Sequence, residues 1–61
     1  MFTYTFSLEH FGSIMSHMQG LQIVVETLSL SNFTYTMTCN QQIEQSQYEH
    51  MQQNYNIQEV I

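Results

Sequence analysis

Apolar and polar residues alternate strictly at the start of this chain. Phe2, Tyr4, Phe6 and Leu8 are separated by Thr3, Thr5 and Ser7. A period of two sends successive side chains to opposite faces, which predicts a half-buried strand. The pattern returns at Phe33, Tyr35, Met37 and Cys39, separated by Thr34, Thr36 and Thr38. Aromatic and β-branched residues suit that setting. Both stretches open with Phe-Thr-Tyr-Thr, offset by 31 positions.

Residues 21–30 form another apolar-rich stretch ahead of the second copy. A two-residue loop at Ser31-Asn32 would pair Leu30 with Phe33, Leu28 with Tyr35 and Val24 with Cys39, all on one face. Glu26 would then intrude on that face, which a bulge near Ile23–Glu26, or a place at the strand's exposed edge, would relieve.

Two stretches change period. Phe11, Ile14, Met15 and Met18 follow the i, i+3, i+4, i+7 rule of an amphipathic helix, with Gly20 placed to end it. Tyr48, Met51 and Tyr55, with Ile43 at the margin, mark a second helix, for which Asn40 is the expected N-cap. Residues 56–61 read as a short closing strand.

The predicted order is β-α-β-β-α-β, and the two halves, 2–30 and 33–61, repeat each other within one domain spanning 1–61. "SHMQ" at 16–19 answers "EHMQ" at 49–52 on the helices. This is the pattern of an α+β, ferredoxin-like fold: a four-stranded antiparallel-type sheet with two helices on one face. The two Phe-Thr-Tyr-Thr strands are expected side by side at its centre, rings under the helices and hydroxyls on the open face.

Composition narrows the functional classes. The chain has 61 residues, five Glu, no Lys or Arg, and a net charge of −5. Phosphate backbones and anionic lipid surfaces are bound mainly through Lys and Arg, so neither nucleic acid nor membrane is an expected partner. No apolar run of bilayer length and no basic leader is visible, so a soluble chain without a targeting signal is expected. Ala, Asp, Lys, Pro, Arg and Trp are all missing. At ordinary usage, absence of Lys and Arg alone has a chance on the order of one in a thousand. The sequence therefore reads as one written in a restricted alphabet, as an engineered or designed protein would be. A domain this small buries only about 60% of its unfolded surface and usually needs a staple. The single Cys39 cannot form an internal disulfide, so a homodimer is the expected remedy.

Glu9-x-x-Gly12-x-Ile14 follows the first strand, and Gly20-Leu21-Gln22-Ile23 opens the second. With the βαββαβ order, this pair resembles the ACT domain, a ferredoxin-like regulatory module. The resemblance implies a dimer with an amino-acid-like ligand near Glu9, Gly12 and Gln22. The chain departs from the family in a first helix about two turns shorter and in Gln22, where Asn is usual.

Other chemistry is sparse. His10, His17, His50, the methionines and Cys39 are soft-metal ligand types, and His17 and His50 are equivalent in the two halves, each followed by Met. Met18 and Met51 are expected inside the core, however, and no paired ligand spacing appears, so no metal or other cofactor is expected. No nucleophile has a base and an orienting group nearby. The chain is thus expected to be non-enzymatic, with no catalytic residues and no specific biochemical activity. The alternative is the ACT-like module.

Overall fold

A computed structural model describes residues 1–61. Strand β1 is Phe2–Ser7, helix α1 Phe11–Gly20, β2 Val25–Ser31, β3 Thr34–Cys39, α2 Gln45–Tyr55 and β4 Gln58–Val60. A single 3-10 turn, Leu8–His10, joins β1 to α1. The strands form one antiparallel sheet in the order β2-β3-β1-β4. That order, with one helix following β1 and another following β3, is the ferredoxin-like arrangement.

The two Phe-Thr-Tyr-Thr strands are the central neighbours. Phe2 pairs with Cys39, Tyr4 with Met37 and Phe6 with Tyr35, while Thr3 faces Thr38, Thr5 faces Thr36 and Ser7 faces Thr34. Facing residues share a side of the sheet, so rings, thioether and thiol lie on one side and hydroxyls on the other. β1 supplies Tyr4 and Phe6 to the core, and β3 supplies Met37 and Cys39. Ile14 and Met18 of α1 and Met51 of α2 come down onto them, so both helices cover the same side. The connecting segments add Ile23, Ile43 and Ile57, of which only Ile43 had a place, at the margin, in a helical stripe read from sequence.

Several local expectations are corrected. The β2–β3 turn is Asn32-Phe33, not Ser31-Asn32, and Leu30 faces Tyr35 while Leu28 faces Met37. The shift is two residues, so Leu28 and Leu30 keep their predicted face, but beyond the register break Val25 and not Val24 stands opposite Cys39, and Val24 is left exposed. Glu26 falls in a register break between Val25 and Thr27, and β2 is also an edge strand, so both ways of accommodating this carboxylate are present. β2 begins at Val25, well after Leu21, because α1 and its cap occupy the chain up to Ile23.

Gly20 is the last helical residue and not the residue beyond the cap. Gln22 takes the left-handed position, at φ 59°. Its N–H bonds Gln19 O at 3.0 Å, and Ile23 N–H bonds Met18 O at 3.1 Å. This pair is a Schellman closure, fixed by burial of Ile23 and Met18 on each other's side of the core. Asn40 does not cap α2. Its Oδ1 accepts from Val24 N–H, and its own N–H donates to Val24 O, each at 3.1 Å, so it ties the start of β2 to the end of β3. α2 starts only at Gln45, behind Glu44, whose side chain makes no capping bond to the helix.

The Asn32-Phe33 turn has both central residues at positive φ, 51° and 62°. Such turns match strand twist but favour glycine at the second place. Phe33 holds this left-handed conformation and is 77% exposed. A left-handed non-glycine residue costs about 1–2 kcal/mol. Phe33→Gly is therefore expected to stabilise the domain by about 1 kcal/mol, raising Tm by about 4–8 °C. Thermal unfolding followed by circular dichroism checks this, and a lowered Tm would show that the ring contributes more than the strain removes.

Candidate functional site

The residues singled out by the ACT resemblance do not meet within one chain. Glu9 lies in the 3-10 turn, exposed, with its N–H 3.4 Å from Ser7 Oγ and its carboxylate 3.4 Å from His10 Nε2. Gly12 is in the first turn of α1, and no atom lies within 4 Å of where a Cβ would project from it. Gln22 is beyond the other end of α1, about 15 Å away at the rise of an α-helix. A shallow depression sits at that far end, lined by Leu21, Ile23, Gln41, Gln42, Glu44 and Gln47. It contains amides and one carboxylate but no cationic group to hold an amino-acid carboxylate.

Cys39 is fully buried, and burial pushes its thiol up from the ordinary 9.0, with the Glu26 charge adding to the effect. A protonated, enclosed thiol is a packing group and a poor nucleophile. No buried side-chain polar atom lacks a hydrogen-bond partner. No group of three or more His, Cys, Asp or Glu converges as a metal cage.

Two surface features stand apart from this quiet background. The first is the outer edge of β2. From Glu26 to Ser31 every residue is exposed. Leu28 and Leu30 sit on the helix-covered side of the sheet by register, yet remain 38% and 50% exposed. α1 is only ten residues long, and its buried contacts, Ile14 and Met18, go to the centre of the sheet. The edge is thus left uncovered. The opposite edge, β4, is only three residues long, and Gln42 Nε2 donates to its Glu59 carboxylate at 3.1 Å.

The second feature is a line of rings along the seam between the helices. His10 packs on Tyr55 with ring centres 5.7 Å apart, Tyr55 meets His17 at 6.3 Å, and His17 meets His50 at 5.7 Å. All three histidines of the chain are in this line. The equivalence of His17 and His50 is visible in the repeated His-Met-Gln. Their convergence is a property of helix packing that spacing within either helix does not reveal.

No family model, curated protein or solved structure matches this chain. No helix is long and apolar enough to cross a membrane.

Proposed function

We propose that this is a non-enzymatic structural domain, written in a restricted alphabet, that works as a homodimer joined through β2. The supporting observation is the seven-residue β2 edge, unpaired on its outer side, with Leu28 and Leu30 exposed along it. Free sheet edges are templates for another strand, and natural proteins blunt them with Lys, Pro or inward charges. β2 has neither Lys nor Pro, and its one bulge and single charge, Glu26, lie at its start, leaving Thr27–Ser31 a regular open edge.

A second copy suits this edge better than a foreign strand, because the edge is self-complementary. Antiparallel pairing about Ser29 places Leu28 against Leu30 of the second copy and Thr27 against Ser31 of the second copy. Glu26 then faces Asn32 of the second copy, so the two carboxylates of this acidic chain stay apart. The leucines would meet on the helix side and the hydroxyls on the open side, producing one continuous eight-stranded sheet. Apolar cross-strand pairs add about 0.2–1 kcal/mol each to the backbone ladder.

Analytical ultracentrifugation is expected to give a mass twice that of the 7.2 kDa chain. The double variant Leu28→Lys, Leu30→Lys is expected to sediment as a folded monomer at the same concentration. A parent that stays monomeric at high micromolar concentration overturns the reading. The ACT-like alternative makes a different forecast. A free amino acid from a panel of twenty would raise Tm by mass action, and Gly12→Val would remove that rise.

A further inference from the structure

We propose that His17 and His50 form a binding site for a divalent cation of the zinc–copper class, bridging α1 and α2. The inference is independent of the dimer, which uses the outer edge of β2 and none of the histidines.

The sequence places the two histidines at matching positions of the two helices, each just before a methionine that is fully buried. Met18 and Met51 turn into the core and so anchor both helices. One residue earlier, a helix turns about 100° about its axis. That step puts His17, half-buried, and His50, exposed, on the rim where the helices face each other. Their ring centres are 5.7 Å apart with planes inclined by 34°. Two imidazoles on one ion, at metal–nitrogen distances of about 2.1 Å, have ring centres about 5 to 6.5 Å apart. The observed ring spacing falls within that range.

The hydrogen bonds prepare the ligands. His17 Nε2–H donates to Gln47 Oε1 at 3.0 Å. The tautomer that makes this bond carries its proton on Nε2 and its lone pair on Nδ1, the arrangement by which an outer carbonyl orients a metal-binding histidine. His50 Nδ1 receives only a long 3.4 Å contact from the Asn54 amide, whose nitrogen is better satisfied by the His50 carbonyl at 2.8 Å. Displacing that contact costs little.

The donor set selects the ion. The neighbouring thioethers and the thiol are buried, so the ligands are imidazole nitrogens, with water completing the shell. Imidazole suits Zn²⁺ and Cu²⁺, whereas Mg²⁺ and Ca²⁺ require oxygen ligands. With a net charge of −5 and no Lys or Arg, nothing in the chain repels a cation from the seam.

Calorimetric titration with ZnCl₂ is expected to show one ion per chain, and MgCl₂ to show none. His17→Gln and His50→Gln should each weaken Zn²⁺ binding by about tenfold or more. His10→Gln, at the far end of the ring line, should leave it unchanged. Electron paramagnetic resonance of the Cu²⁺-loaded parent should report two nitrogen ligands, a readout that needs no variant to fold. Absence of binding, survival of full affinity in His17→Gln or His50→Gln, one ion per two chains, or a single coordinating nitrogen would each overturn the site.

Discussion

Met37→Ala is expected to leave most of the chain unfolded at physiological temperature. Met37 lies in a central strand with Tyr4 on one side and Leu28 on the other, and it has no exposed surface. Replacing a buried methionine by alanine costs about 2–5 kcal/mol through lost transfer energy and the cavity left behind. A native domain holds only about 0.05–0.15 kcal/mol per residue, or roughly 3–9 kcal/mol for a chain of this length. The loss is therefore comparable with the whole stability. Only ten side chains are buried, so the neighbours have little material with which to refill the gap. Urea unfolding of parent and variant measures the difference. A midpoint within experimental scatter of the parent would mean that the centre of the core lies elsewhere.

Tyr4→Phe should cost about 1–3 kcal/mol although it removes a single oxygen. The Tyr4 hydroxyl accepts from Ile43 N–H at 2.9 Å, across 39 residues of sequence and inside the core. Without it a buried amide loses its partner, and the segment leading into α2 loses its tie to β1. The same hydroxyl gives the variant a pH signature. Desolvation raises the phenol above its ordinary 10.0, opposed by the Ile43 hydrogen bond and reinforced by the charge of Glu59. The folded chain thus keeps this proton longer than the unfolded chain. Its contribution is fully present below pH 10 and is lost as pH rises toward the folded value. Cys39, raised from 9.0, acts in the same direction from a lower pH. The fall in Tm between about pH 8 and about pH 11 should be shallower in Tyr4→Phe than in the parent. Equal slopes would show that Tyr4 titrates alike in both states.

How much of this was legible in the sequence depended on the range of the force involved. The central strands were, because alternation in Phe2–Ser7 and Thr34–Cys39 is dictated by burial on one face. The fold order followed from the two changes of period. The misfit of Glu26 on an apolar face was legible, with a bulge or an exposed edge as its two remedies. Chain-end chemistry was misread. Gly20 and Asn40 are residues that commonly cap helices, yet the cap at α1 is set by where Ile23 must bury, which forces Gln22 into the left-handed position. Asn40 is held by Val24, a partner sixteen residues away that helix preferences ignore. Ile43, read at the margin of the second helix, and Ile57, read in the closing strand, fall just outside α2 and β4, and their full burial emerges only once the sheet exists. The histidine seam was half visible: duplication marks His17 and His50 as equivalent, but only the packing of α1 beside α2 makes them neighbours.

The hydroxyl side of the sheet carries a last consequence. Thr3, Thr5, Ser7, Thr34, Thr36 and Thr38 share it with Thr27, Ser29 and Ser31, and Gln58 and Val60 complete the row at β4. Thr27 and Thr38 hydroxyls bond each other across the strands. No member of this array ionises in water at any ordinary pH. One broad side of the molecule is therefore electrically silent, while the imidazoles and most carboxylates look the other way. In an applied field or near a charged body, the domain behaves as a lopsided object. It would turn its helices toward cations and present to everything else a plane that only shape and water structure can address.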